Sequence, residues 1–396
     1  MTLRILHVIT SLAPANGGPP EAVRQLANNW QRLGVHAEVV CTDSRNASFL
    51  RNLSCPVHTF GPAHLGRFAL VPRLRPWLRD NASRFDALIM HGIWTFPNLA
   101  VRAAALSAGK PYGVFIHGGL DPWFNRAYPL KRIKKSIYWP FQYPVLRDAH
   151  AVFFTADLER DFAKTSFQPS QWNSVVVPYG TNEPVGDPSA QMEAFYRRFS
   201  ALRQRSFFLF LGRLHDKKGC DLLVEAFARV APSVPTIDLV IAGPDQQGLQ
   251  AKLTAMTHQL GVAARVHWTG SLEGDLKWGA LRAAEAFVLP SHQENFGIAV
   301  AESLAAGRPV LISDQVNIWK AIQDAGVGLV EPDTLDGTEQ LLRRWIALTE
   351  VERIAMAHRA RPTFQRHFSI GATALALQKI FAPEPLANMF LKDRAS

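Results

Sequence analysis

Only three cysteines occur in 396 residues, Cys41, Cys55 and Cys220, an odd and scattered set. They offer no disulfide framework and no zinc-ligand spacing, and read as buried thiols of a reducing, cytoplasmic compartment. Long hydrophobic runs are missing as well: no stretch approaches the roughly 18 apolar residues that cross a bilayer. Arg4 followed by ILHVIT, with Ala13-Pro14-Ala15 beyond it, has the outline of a secretory leader. That segment is short, contains His7 and Thr10, and runs into a glycine pair, which argues against one. No Asp-x-Asp pair occurs anywhere. A divalent metal held against phosphates generally needs such carboxylates, so no metal is expected, and no resident cofactor either. Low-complexity tracts and repeats of 20–50 residues are absent.

What is present describes a globular protein, with 47% hydrophobic and 19% charged residues and a length suited to two domains. The net charge of +10 is lopsided: residues 1–185 hold 20 Lys/Arg against 11 Asp/Glu, whereas residues 186–396 hold 23 against 22. The basic residues gather at Arg67, Arg73, Arg75 and Arg79, and again at Arg126, Lys131, Arg132, Lys134 and Lys135. The second cluster runs into Ile137-Tyr138-Trp139-Pro140-Phe141. Cations beside interfacial aromatics suit an anionic membrane surface, here the inner leaflet. A solvated basic helix beside core aromatics fits the same residues equally well.

Short apolar runs alternate with helical patterns along the chain. Leu3–Ile9, Val35–Cys41, Ala87–Met90, Tyr112–Ile116, Ala151–Phe154 and Val175–Val177 read as strands, and Pro20–Leu33 as a helix. The series then restarts with Phe207–Leu211, Ile237–Ala242, Val266–Trp268, Ala286–Leu289 and Pro309–Ile312, with a helix at Gly219–Val230. Strands separated by helices predict parallel sheets covered on both faces. The expected fold is therefore α/β, two Rossmann-like domains facing a central cleft. The boundary is expected in the Gly/Pro-rich stretch Thr181–Pro188, giving domains at 1–185 and 186–370, with 371–396 as a C-terminal helix and tail.

Four motifs fall at the carboxyl ends of these strands, where ligands bind in open parallel sheets. Gly17-Gly18-Pro19-Pro20 follows the first strand and opens a helix, but lacks dinucleotide-fingerprint spacing. His91-Gly92 and His117-Gly118-Gly119 each end a strand, placed to touch ligand. Gly212-Arg213 and Lys217-Lys218-Gly219 flank one turn, so that Arg213 and Lys218 could reach one diphosphate through charge-assisted bonds. Ser291–Gly307, SHQENFGIAVAESLAAG, sets Glu294 in a loop and Glu302 about one and a half turns into a helix beginning near Gly297. The N–H groups of that helix tip suit a phosphate. Hydroxyls on either side of it could be held by the two carboxylates. Glu302 interrupts an otherwise apolar helix, and a buried carboxylate requires a ligand or a basic partner.

This combination resembles the retaining glycosyltransferases of family 4, on the GT-B fold. Their pattern is a Gly-Gly loop after the first strand, a strand-end His-Gly, a Gly-Arg…Lys-Gly segment and Glu-x7-Glu, here in the same order. Residues 91–123, ending Gly119-Leu120-Asp121-Pro122-Trp123, further resemble enzymes that build bacterial surface polysaccharides and exopolysaccharides, lipopolysaccharide among them. The resemblance implies a hexosyltransferase that needs no metal and moves sugar from a nucleoside-diphosphate sugar to a hydroxyl of a glycan or lipid-linked oligosaccharide. It implies that Glu294 holds donor-sugar hydroxyls and Glu302 the ribose. Arg213 and Lys218 would stabilise the leaving diphosphate, helped by backbone amides near Phe296, Gly297 and Ile298. Gly18 would approach the donor from the other domain, and His117 would lie near the transferring sugar. Glu294 could serve as nucleophile or as positioner.

The family pattern is broken twice, by Asn295 where glycine is frequent and by Gln315-Val316-Asn317-Ile318-Trp319 in place of a Gly-Gly loop. A nucleotide-sugar epimerase or a phosphorylase is the alternative on the same fold. A non-enzymatic nucleic-acid binder would use the basic half, but the best motifs lie in the nearly neutral half, so no nucleic acid partner is expected. The expected location is cytoplasmic, with the basic domain able to sit peripherally on the membrane.

Overall fold

The computed structural model describes residues 2–382 apart from Gln246. The chain divides into two compact units, Met1–Gly180 together with Ile370 onward, and Thr181–Ser369.

The first unit carries a seven-stranded parallel sheet: β1 (Arg4–Ile9), β2 (His36–Cys41), β3 (Val57–Thr59), β4 (Ala87–His91), β5 (Tyr112–Phe115), β6 (Ala151–Phe154) and β7 (Ser174–Val176). Its order is β3-β2-β1-β4-β5-β6-β7. The middle strands are almost wholly apolar, His91 at the end of β4 apart, because helices cover both faces; every residue of β4, β5 and β6 is buried. The short strand β3 has no apolar run to announce it and is defined by its pairing with β2, Val39 beside Val57 and Cys41 beside Thr59. The helix Ile370–Phe381 packs on the helix Gly18–Arg32 of this unit. Its last ring, Phe381, reaches the sheet over Gly113, where an added Cβ would lie 2.3 Å from the Phe153 ring and 3.0 Å from that of Phe381. The rest of the expected tail, residues 383–396, lies outside the described residues.

The second unit repeats the plan with six parallel strands: β8 (Ser206–Leu211), β9 (Ile237–Ala242), β10 (Val266–Gly270), β11 (Ala286–Leu289), β12 (Val310–Ser313) and β13 (Gly328–Glu331). The order is β10-β9-β8-β11-β12-β13. Each sheet therefore reverses its winding once, between β1 and β4 in the first unit and between β8 and β11 in the second. Loops diverge there at the strands' carboxyl ends and leave room for a ligand. The Gly-Gly turn follows β1 and His91 ends β4. The Arg213–Lys218 turn follows β8, and Glu294 follows β11. All but the His117 motif sit at a reversal.

Candidate active site

In the second unit the two loops at the reversal are joined directly. The His292 N–H donates to the Lys217 carbonyl over 2.8 Å, and the Lys217 ammonium reaches Gln293 Oε1 at 3.2 Å. Gly219 lets the turn after β8 lie against the loop after β11. At φ +64° it occupies the left-handed region, and a Cβ would stand 2.1 Å from the Pro290 carbonyl oxygen. No other residue type fits there without parting the loops. The contact brings the Lys218 ammonium onto the Glu294 carboxylate, both side chains largely buried.

Burial pushes the Lys218 ammonium well below its ordinary range, and the charges of Lys217 and Arg213 push in the same direction. The touching Glu294 carboxylate opposes them. Arg213 is half-buried, and among the described residues no carboxylate lies within ion-pair distance of it. Arg213, Lys217 and Lys218 thus outnumber the two carboxylates beside them, Glu294 and, within the turn, Asp216, an excess of positive charge that an anion would relieve.

The helix Ile298–Ala305 starts beside this cluster, capped by Gly297 at φ +77° with no side-chain cap. The first-turn N–H groups of Ile298 and Ala299 have no intrahelical acceptor and point out of the helix tip. The Phe296 side chain is buried and meets Phe368 edge-on, so only its backbone is available to a ligand. The departure loop 315–319 proves to be the brace of Glu294. The Glu294 N–H donates to the Gln315 carbonyl, and the Asn317 N–H donates to the Glu294 carbonyl, both over 3.0 Å. Asn317 is buried, yet among the described residues its Nδ2 finds no acceptor, nor does the Oγ of fully buried Ser291 find a partner.

Glu302 is only 8% exposed in its side chain, and its partner is Lys277, whose ammonium lies 2.6 Å from Oε1. The basic partner that burial demanded comes from the neighbouring helix Gly274–Ala283. The sequence held no signal for it, because Lys277 is one of many solvated-looking lysines until the fold packs its helix against that of Glu302.

In the first unit, Gly18 opens the helix Gly18–Arg32, with Gly17 as its cap at φ +87°. His117 follows β5 at φ +46°, an unusual conformation for a non-glycine residue. The expectation that His91 touches ligand is not met. His91 Nε2 lies 2.9 Å from His7 Nδ1, and His91 Nδ1 lies 3.3 Å from His117 Nε2, so both its ring nitrogens are engaged within the protein. His7, on β1, is fully buried, and its other nitrogen has no partner among the described residues. Burial lowers the pKa of His7 and of His117 to about 3, and burial followed by the two neighbouring rings holds His91 well below its usual range. The three rings are neutral near pH 7, and the hydrogen bonds between them link their tautomers in one row.

Two domain profiles match this chain. The one described as "Glycosyl transferase 4-like domain" covers residues 17–180, and "Glycosyl transferases group 1" covers residues 193–361. The chain belongs to the family 4 glycosyltransferases. Its two parallel-sheet Rossmann-like units are the GT-B fold. It is 30% identical over 226 residues to a D-inositol 3-phosphate glycosyltransferase of Actinosynnema mirum, a match covering 54% of this chain and 53% of that one. It thus spans about half the length of that relative. With a GDP-mannose:cellobiosyl-diphosphopolyprenol alpha-mannosyltransferase of Xanthomonas oryzae it shares 24% identity over 344 residues, 83% of each chain. Among solved structures, Alr3699/HepE of Anabaena in complex with UDP-glucose superposes with a TM-score of 0.73 at 18% identity, over 98% of this chain and 100% of that one.

Proposed function

We propose that this family member transfers a hexose, with retention of configuration and without a metal, from a nucleoside-diphosphate sugar to a hydroxyl of a glycan or lipid-linked acceptor. The observation that carries the reading is the cation-rich cluster at the strand reversal of the second unit. Arg213, Lys217 and Lys218 converge there beside Glu294 and the uncapped tip of the helix Ile298–Ala305. A diphosphate matches both the excess charge and the free amides. Stabilising it as it departs lowers the barrier most when the donors are already in place.

In this reading Glu294 serves as counter-ion to Lys218 until the diphosphate takes over that ion pair. The carboxylate is then free to accept donor-sugar hydroxyls, which favours a positioning role over a nucleophilic one. Glu302, fixed by Lys277, presents its second oxygen to the ribose. Arg213, Lys218, Glu294 and His117 are proposed as the catalytic group, with Gly18, Phe296, Gly297, Ile298 and Glu302 around the donor. The acceptors in the names of two relatives, a cellobiosyl-diphosphopolyprenol and a D-inositol 3-phosphate, support a lipid-linked or glycan acceptor. Surface-polysaccharide assembly on the cytoplasmic side is the process this reading fits.

The decisive experiment is calorimetric titration with UDP-, GDP- and ADP-sugars in EDTA, followed by NMR of the product's anomeric centre. Donor binding without metal and a product of the donor's own configuration are expected. An inverted product, or sugar released only to inorganic phosphate, would reject the transfer reading.

A further inference from the structure

The helix Pro129–Arg147 of the first unit has two unlike faces. Its inner face is anchored: Trp139 is buried, stacks on Phe167 with ring centroids 5.2 Å apart, and donates its indole N–H to the Pro169 carbonyl. Gln142, Val145 and Leu146 are buried with it. The outer face is apolar and bare. Leu130 is 78% exposed, Ile133 57%, Ile137 72% and Phe141 63%. Spacings of three and four residues place these four within an arc of roughly 80° on one helix. A shallow groove of about 540 Å³, lined by Pro129, Arg132, Ile133, Ser136 and Ile137, runs along it.

The surroundings of this stripe carry one sign of charge. Between Pro122 and Arg147 the sequence has six Lys/Arg and no Asp or Glu. Among the described residues, no carboxylate lies within ion-pair distance of Arg126, Lys131, Arg132 or Lys134. The Phe68–Tyr138 ring contact brings the turn Leu65–Arg67 alongside, adding an exposed leucine and another cation. Lys131 and Lys135 lie over aromatic rings, 4.0 Å from that of Tyr128 and 5.0 Å from that of Trp94, with their apolar stems along the protein.

We infer that this face docks on the anionic surface of a lipid bilayer, the helix lying in the plane of the interface. Leu130, Ile133, Ile137 and Phe141 would enter the boundary between headgroups and acyl chains, while Lys131, Arg132 and Lys134 meet lipid phosphates. The charged residues interrupting the helix keep it on the membrane rather than across it, and no described helix is long and apolar enough to cross one. An apolar stripe alone would suit many partners. Pairing it with cations that no carboxylate offsets selects a surface both apolar and negative.

The test is co-sedimentation of the full chain with vesicles of phosphatidylcholine, with and without phosphatidylglycerol, in the absence of any sugar nucleotide. It is therefore read independently of the transfer reaction. Binding is expected to the anionic vesicles, weakening as salt rises. Changing Lys131, Arg132 and Lys134 to Gln together should lower partitioning on the order of a hundredfold, roughly fivefold per cation. Ile133→Asp/Ile137→Asp should abolish it, with circular dichroism and nucleotide-induced thermal shift unchanged. Equal binding to neutral and anionic vesicles, no binding to either, or binding that both variants leave intact would overturn the assignment. Self-association lost in Ile133→Asp/Ile137→Asp, without vesicle binding, would give the face to a second copy of the chain and overturn it too.

Discussion

Replacing Gly219 by Ala tests whether the two loops of the proposed site depend on one close approach. Two effects add at this position. An L-residue held near φ +64° is strained by about 1–2 kcal/mol. The new Cβ would also lie 2.1 Å from the Pro290 carbonyl oxygen, a backbone atom that cannot swing aside as a side chain would. Relieving such overpacking by backbone movement costs about 1–3 kcal/mol, so the total is about 2–5 kcal/mol. Gly248 is the matched control. Its φ is +73°, but nothing lies within 4 Å of its would-be Cβ, so Gly248→Ala should lose only the first part. Urea unfolding of the two variants separates conformational strain from collision. Hydrogen exchange of the His292 amide, which donates to Lys217 across the seam, reports whether the loops have parted. In Gly219→Ala that amide should lose protection, and UDP affinity should fall about tenfold or more as Lys218 leaves Glu294. Equal destabilisation by the two alanines, with His292 still protected, would refute the reasoning.

Lys277→Met should cost about 2–4 kcal/mol by stranding the buried Glu302 carboxylate, and adding Glu302→Gln should recover much of it, as a double-mutant cycle in urea would show. Arg213→Ala should weaken UDP binding on the order of 10–100-fold in calorimetry, with little effect on stability, because no carboxylate partner is stranded by its loss. The histidine row predicts an acid-sensitive first unit. Because folding holds the pKa of His7 and His117 down to about 3, the unfolded chain binds protons below about pH 6.5 that the folded chain refuses. That contribution is complete above pH 6.5 and is lost as pH falls toward 3, at up to ~1.4 kcal/mol per pH unit for each ring. His7→Gln should flatten the slope between pH 6 and 4 by about one proton, whatever it does to stability at pH 7.

Most of the strand pattern was legible because buried parallel strands are continuous apolar runs, and Phe207–Leu211 or Ala286–Leu289 has no other reading. Val57–Thr59 and Gly328–Glu331 were not legible. The first is three residues long with a histidine at its centre, the second has only Leu329 and Val330 as an apolar pair between Gly328 and Glu331, and only pairing with β2 and β12 makes either a strand. The proposed site divides in the same way. Arg213, Lys218 and Glu294 stand at strand ends in a recognisable order, and their convergence needs only that β8 and β11 be neighbours across the reversal. Lys277, Asn317 and His7 stand in no motif. Each acquires its place from tertiary packing: Lys277 from one helix laid against another, Asn317 from a loop bonded to Glu294, and His7 from the register that sets Ile9 beside His91. The misread histidine shows why. A strand-end His-Gly marks the edge of a ligand site only if the ring faces outward, and ring direction depends on the neighbouring strands. Here β1 supplies His7 and the turn after β5 supplies His117, so His91 is consumed between them. Its proposed value to the enzyme is indirect, since a ring whose two nitrogens are committed can fix the tautomer of His117. Substituting His91 should therefore shift the His117 imidazole resonances in NMR even where no substrate is bound.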